Sequence, residues 1–324
     1  MDSGKKTISI VTGCFNEEGN LQRFYDRVKA VLGQLGEYDH EIIVADNRST
    51  DGSREILRRL AAQDGRFKVI LNANNFGPIR SGYNAFLQAS GDAAVLMSSD
   101  LQDPPELILD FVRKWEEGYQ VVAAVKSRSQ ENPLVFLARR LYYGILAKAS
   151  DSTPIIRDFT GFGLYDRKFL VALKRYHEPL PYLRGLVGEI GFRRTEIEFV
   201  QPRRTAGRSK HNFMTLYDVG MSGFVGHSRL PLRLAVFAGF TLAAISFVIA
   251  VFYLLWKLLY WDTFSLGLAP VLIGLFFFAA VQLFFIGVIG EYVGAILVQV
   301  RNHPLAIEDE RLNFDEPQTP DRQA

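Results

Sequence analysis

The chain has 324 residues, 48% of them hydrophobic, and a formal net charge of +2. That length supports a large core and one to three domains, and the near-neutral balance gives no argument for a nucleic-acid partner. A single cysteine, Cys14, excludes an intrachain disulfide, and without a Cys/His cluster in the sequence a structural zinc site is not expected.

Met1 to Thr7 is short and polar and carries no signal-peptide pattern. Thr7 to Val11 is a β-rich apolar run, followed by Gly13-Cys14-Phe15-Asn16-Glu17-Glu18. Leu21, Phe24, Tyr25, Val28, Val31, Leu32 and Leu35 fall at helical spacing. His40 to Ala45 predicts a second buried strand, ending in Asp46-Asn47-Arg48-Ser49-Thr50-Asp51-Gly52-Ser53, which opens a helix to about Ala62. Phe67 to Leu71 predicts a third strand and Gly77 to Ala89 a third helix.

Ala93 to Met97 predicts a fourth buried strand. Asp103-Pro104-Pro105-Glu106 then predicts a helix start: Asp103 as N-cap, Pro104 where a missing N–H costs nothing, and Glu106 completing a capping box. Asp100 and Gln102 thereby stand at the carboxyl end of a strand, where open α/β sheets bind ligands. Two hard oxygen ligands there suit a divalent metal on a diphosphate. An ordinary strand–turn–helix connection with an exposed acid accounts for the same residues. Val121 to Val125 predicts a fifth strand, and the alternation of strands and helices predicts an α/β fold with a parallel, doubly wound sheet. No Gly-x-Gly-x-x-Gly follows the first strand and no P-loop occurs. The predicted strand ends carry Asn16, Glu17, Asp46, Asp51, Asp100, Gln102 and Asp103 instead.

Leu134 to Ala149, broken by Arg139, Arg140 and Lys148, predicts a basic amphipathic helix that faces either the core or a membrane. Leu234 to Trp256 is 23 residues without a charge, and Phe264 to Gly290 is 27. Each exceeds the roughly 20 residues that cross a bilayer, so two transmembrane helices are expected. Phe213, Leu216, Tyr217 and Phe224 share a face just ahead of the first and predict an in-plane interfacial helix. Eight Lys/Arg against three acids between Arg193 and Arg233 place both ends on the cytoplasmic side. The expected layout is a cytoplasmic domain over 1–212, an interfacial helix over 213–230, a two-helix transmembrane hairpin over 231–300 and a cytoplasmic tail over 301–324. The expected location is the inner (cell) membrane, multi-pass. The tail after Pro304 is acidic and polar and is expected to be disordered. Gly274, Gly287, Gly290 and Gly294 allow close helix contact, within the hairpin or in a homo-oligomer.

Phe15-Asn16-Glu17-Glu18, Asp46 with Ser49-Thr50-Asp51-Gly52-Ser53, Asn75-Phe76-Gly77 and Asp100-Leu101-Gln102-Asp103-Pro104-Pro105-Glu106 occur in that order. So do Arg184-Gly185-Leu186, Gly191-Phe192-Arg193, Arg204-x-x-Gly207-x-Ser209-Lys210 and Gly290-Glu291-Tyr292. Together they resemble family 2 glycosyltransferases of the kind that load a sugar onto a polyprenyl phosphate. The resemblance implies a GT-A catalytic domain, Rossmann-like with a mostly parallel sheet. It implies an inverting hexosyl transfer, with UDP-glucose the nucleotide sugar donor, undecaprenyl phosphate the acceptor and Mg²⁺ or Mn²⁺ the cofactor. Carried over, Phe15, Glu17 and Asp46 hold the base and ribose, while Ser99, Asp100 and Gln102 face the diphosphate and its metal. Arg128, Arg204, Ser209 and Lys210 contact phosphate, and Asp158 matches the acid of the acceptor region, the usual candidate for a base. Ser98 stands where the family usually has Asp. The alternatives are a lipid-phosphate transferase specific for mannose or an aminosugar, an inactive scaffold, for which Ser98 is the only hint, and a processive polysaccharide synthase. The last is disfavoured because the chain has no Gln-x-x-Arg-Trp motif and too few spans.

Overall fold

Four apolar runs separated by amphipathic helices dictate the centre of the molecule. In the computed structural model, described for residues 4–128, 156, 158–176, 178, 181–202, 230–259, 268–301 and 303–314, they become β1 (Thr7–Cys14), β2 (Asp39–Asp46), β3 (Phe67–Asn72) and β4 (Ala93–Leu96). These pair in parallel in the order β4-β1-β2-β3. The connecting helices are α1 (Glu18–Leu32), α2 (Ser53–Gln63) and α3 (Pro78–Leu87); α4 (Leu107–Glu116) follows β4. Alternating strand residues point to opposite faces. Ile8, Ile10, Ile42, Val44 and Val95 therefore pack under α1, α2 and α4. Val11, Ile43, Ile70 and Ala94 pack under α3, α5 (Arg167–Leu173) and α6 (Leu183–Ile190). The result is a three-layer α/β/α arrangement of the GT-A kind.

The sheet is mixed rather than wholly parallel. It has eight strands, adding β5 (Val121–Arg128), β6 (Phe159–Asp166), β7 (Arg194–Val200) and β8 (Glu308–Leu312), in the order β7-β5-β6-β4-β1-β2-β3-β8. β6 runs antiparallel between β4 and β5, and β7 runs parallel to β5. β6 lies so close to β5 that a Cβ at Gly163 would stand 2.3 Å from the Val122 carbonyl oxygen, which only glycine permits.

The tail after Pro304 is not disordered over its first part. β8 pairs antiparallel with the outer edge of β3, from Glu308 opposite Asn72 to Leu312 opposite Val69. Asn313, left-handed at φ +61°, donates from Nδ2 to the carbonyls of Ala61, Asp64 and Phe67 and ends the strand. Polar contacts to the rest of the domain receive so charged a segment: Glu310 meets Arg58 at 2.7 Å and Glu308 accepts from Asn84 Nδ2 at 2.9 Å.

Two long helices carry the apolar C-terminal half, α7 (Leu230–Leu259) and α8 (Leu268–Arg301). Among the described residues, one stretch is long and apolar enough to cross a membrane, Phe277–Arg301 in α8; the apolar run of α7, Ala235–Ile249, is shorter. The expected helix at 134–149 and residues 213–229 of the expected interfacial helix lie outside the described residues.

At the amino end of the sheet, away from the acidic loops, Glu41 is buried. It accepts hydrogen bonds from Ser9 Oγ (2.5 Å), Lys68 Nζ (2.6 Å) and both the backbone and hydroxyl of Ser90. Burial alone would raise its carboxyl, but these donors outweigh it and hold the group below the usual carboxylate range. Such a group stabilises the fold above its unfolded pKa of about 4.3 and loses that contribution as pH falls through the lower folded value. Glu41→Ala strands the Lys68 cation and is expected to cost about 3 kcal/mol at pH 7. Chemical unfolding at pH 7 and at pH 3 checks it: the gap from the parent chain should shrink at the lower pH.

Candidate active site

The parallel strands deliver their connecting loops to one edge of the sheet, and antiparallel β6 starts there. The backbone is most unusual along that edge. Five non-glycine residues have positive φ among the described residues. Four stand beside it: Asn16 (+56°) after β1, Arg48 (+62°) after β2, Leu101 (+61°) after β4 and Asp158 (+56°) before β6. Each such residue costs of order 1–3 kcal/mol and persists only where its surroundings impose the conformation.

The imposing contacts can be named. The loops after β1 and β2 fasten to each other by side chain-to-backbone bonds. Asn16 and Glu17 donate their N–H groups to Ser49 Oγ and Ser53 Oγ, at 2.8 and 2.9 Å. In return Thr50 N donates to Asn16 Oδ1 (2.7 Å) and Gly52 N to Glu18 Oε2 (2.7 Å). A Cβ at Gly52 would lie 2.9 Å from that same oxygen, and the Glu18 carboxylate would have to shift to admit it. The Asn75-Phe76-Gly77 turn joins through Asn47, which donates to Asn75 Oδ1 (2.7 Å) and accepts from Phe76 N (2.8 Å). Asn16, Glu18, Ser49 and Ser53 are therefore the framework on which Phe15 and Glu17 are carried. Glu17 itself accepts from Asn20 Nδ2 at 2.6 Å.

Asp46 ends β2 and is fully buried. Its carboxylate accepts from Ser49 N and from Arg54 Nε, the latter at 2.7 Å, while Arg54 Nη2 donates to the Asn72 carbonyl at the end of β3 (2.5 Å). Arg54 thus supplies the counter-charge and ties two strand ends together. Nearby Cys14 is no nucleophile, since burial and the adjacent Asp46 push its thiol up to about 12.

Beyond β4, Ser99 Oγ donates to the Gly13 carbonyl (2.9 Å), joining the ends of β4 and β1. Leu101 turns inward and is buried in the core, which sets Asp100 and Gln102 on either side of it. Asp100 Oδ1 accepts from Gln102 N at 3.1 Å in a tight local turn. The expected capping box does not form. Asp103 folds back to accept from Ser98 N (2.9 Å) and Ser98 Oγ (2.5 Å), and α4 begins only at Leu107. Glu106 reaches out to Arg27 at 2.7 Å. Burial raises the Asp103 carboxyl, with Asp100 adding to it, against the lowering effect of the Ser98 bonds and Lys126.

The fold thus brings Phe15, Glu17, Asp46, Ser99, Asp100, Gln102 and Asp158 to one edge, and β5 ends there at Arg128. Asp158 is half-buried, and its carbonyl accepts from Lys126 N on β5 (3.3 Å). Arg204, Ser209 and Lys210 lie outside the described residues. No group of three or more His, Cys, Asp or Glu arranged to hold a metal occurs among the described residues. A carboxylate and an amide oxygen at Asp100 and Gln102 nonetheless fit a hard cation that keeps its waters and takes further oxygens from substrate phosphates. Arg54 is the residue that sequence reasoning missed. Its signal was only that Asp46 needed a cation and that Arg54 opens the following helix.

The chain is 36% identical over 320 residues to an uncharacterised glycosyltransferase, YkcC, of Bacillus subtilis (strain 168), covering 95% of this chain and 97% of the relative. It is 32% identical over 299 residues to a bactoprenol glucosyl transferase of Shigella phage SfII, covering 92% and 96%. Among solved structures it is similar to glucosyl-3-phosphoglycerate synthase from Mycobacterium tuberculosis in complex with UDP, with TM-score 0.47, 20% identity, and 68% and 79% of the two chains covered. The model of "Glycosyl transferase family 2" matches residues 9–173, the span from β1 to α5 that contains every acidic loop described above, and the chain belongs to that family.

Proposed function

We propose that this enzyme transfers a hexose, glucose from UDP-glucose, to undecaprenyl phosphate with inversion, at the cytoplasmic face of the cell membrane. The observation that carries this reading is where the chain meets its apolar segment. β7 runs parallel to β5 and so ends at the edge that holds the acidic loops, and β8 enters the sheet at that same edge. Because β7 and β8 belong to one sheet, the segment between them crosses a bilayer an even number of times. One crossing by α8 therefore requires a second, which α7 is long enough to make at 1.5 Å per residue. The bactoprenol glucosyl transferase relative supports the choice of acceptor.

In this reading Phe15, Glu17 and Asp46 hold the nucleoside, and Asp100 and Gln102 hold Mg²⁺ or Mn²⁺ on the diphosphate. A divalent cation bound there offsets the charge that builds on the departing nucleoside diphosphate. Arg128, Arg204, Ser209 and Lys210 contribute further positive charge and donors to the phosphates. The acceptor is a phosphate monoester that already carries about −1.5 to −2 charge at pH 7. Asp158 therefore has little proton to remove and acts by orienting the acceptor for attack on the face opposite the leaving group.

Vesicles containing the protein and undecaprenyl phosphate, given a panel of labelled UDP- and GDP-sugars, test the reading. Lipid-extractable label from UDP-glucose is the expected result. Label from a different sugar alone would correct the donor. Insoluble polymer would make the chain a processive synthase, and no product with any donor would contradict transfer.

A further inference from the structure

We infer that residues 303–314 form a strap that holds the acidic edge of the sheet at a fixed, short distance from the bilayer surface, with Arg80 as its positioning residue. The inference rests on the membrane reading above. α8 ends at Arg301, and Pro304 lies three residues further on, a span of at most about 11 Å even if fully extended. At that point the chain is caught. Arg80, in the first turn of α3, donates from Nη2 to the Pro304 carbonyl (2.6 Å) and from Nε to the Leu305 carbonyl (3.0 Å). Its guanidinium also lies over the ring of Phe76, 5.5 Å from the centroid.

Phe76 belongs to the turn that Asn47 fastens to the loop after β2. The anchor is therefore tied to the loop that follows Asp46, which is itself fastened to the loop of Glu17. Beyond it the strap is continuous. Leu305 packs on the core, Ala73 N donates to the Ile307 carbonyl (2.9 Å), and Asn84 Nδ2 meets Glu308 (2.9 Å). β8 then runs the outer length of β3. A free polar tail would need none of this. The slack between helix end and anchor is small, whereas each added residue would lengthen it by about 3.5 Å. An acceptor whose phosphate sits at headgroup height and whose chain stays in hydrocarbon can be reached only if the edge is held at that height.

The test uses the full-length protein in phosphatidylcholine–phosphatidylglycerol vesicles. A fluorophore goes on Asn74→Cys, in the exposed turn after β3, since the native Cys14 is buried. Quenching by a headgroup-labelled lipid is compared with and without an eight-residue Gly-Ser insertion between His303 and Pro304, and with Arg80→Ala. The insertion is expected to lower quenching at least threefold, and Arg80→Ala to lower it less; unchanged quenching in both overturns the strap. In parallel, the insertion should slow transfer to undecaprenyl phosphate about tenfold. Transfer to a short, water-soluble prenyl phosphate and the KM for donor should stay within twofold. Equal loss with both acceptors would make the segment merely structural and overturn the proposal. If the parent chain glycosylated neither acceptor, the transfer reading would fall, and the quenching comparison would still decide the strap.

Discussion

Asp100→Asn is expected to lower turnover about 10³-fold while the protein stays folded. The substitution is chosen to separate charge from shape. Asparagine keeps a side-chain oxygen that can accept from Gln102 N, so the turn around Leu101 persists. It removes the carboxylate charge that, in the proposed reading, faces a divalent cation next to the diphosphate. Stabilising charge at a leaving group in a sheltered site is commonly the largest catalytic contribution, and 10³-fold corresponds to about 4 kcal/mol of barrier. Initial transfer rates at saturating donor and acceptor, set beside far-UV circular dichroism, read both halves of the expectation. Turnover within tenfold of the parent would remove Asp100 from the chemistry.

Arg54→Ala is expected to have the largest effect of any substitution outside the acidic loops. Asp46 is fully buried, and its Oδ2 receives Arg54 Nε at 2.7 Å, so removing the cation leaves a carboxylate with backbone partners alone. Breaking a buried pair by deleting one partner costs about 3–5 kcal/mol. The consequence should be specific as well as general. The loop held by Asp46 is fastened to the loop bearing Phe15 and Glu17, so the KM for nucleotide sugar should rise at least about tenfold while the KM for acceptor stays put. Arg54→Lys restores the charge but not the simultaneous bond to the Asn72 carbonyl, and it should recover stability better than donor affinity. Thermal unfolding and the two KM values distinguish this from a uniform loss of folded protein.

The parts of the fold that were legible in the sequence are those in which local pattern and burial coincide. β1 to β4 are mostly apolar runs because both faces of the sheet are covered, and the helices between them carry one apolar stripe each. β6 escaped because Gly161 and Gly163 interrupt its apolar run. Gly163 is required where β5 comes too close for a Cβ. β8 escaped because Glu308-Asp309-Glu310-Arg311 has the letters of a solvated tail. It becomes an edge strand only through partners some 250 residues earlier in the chain.

The site divides in the same way. The acids at the strand ends were visible as polar residues after apolar runs. Their partners were not, because Asn16 with Thr50 and Glu17 with Ser53 meet across 34 and 36 positions. The capping box was the opposite error. Asp103 has the right spacing from Glu106, but Ser98 offers it a backbone N–H and a hydroxyl together, and two donors at the strand end win over one at the helix start.

The most direct test of the central claim is the appearance of labelled sugar in the lipid phase when vesicles holding the full-length protein and undecaprenyl phosphate receive labelled UDP-glucose. The expected result is a lipid-linked, mild-acid-labile sugar phosphate that forms with Mg²⁺ or Mn²⁺, stops on chelation and is lost in Asp100→Asn. Lipid-linked product that forms at the same rate with chelator, or equally well from Asp100→Asn, would contradict it.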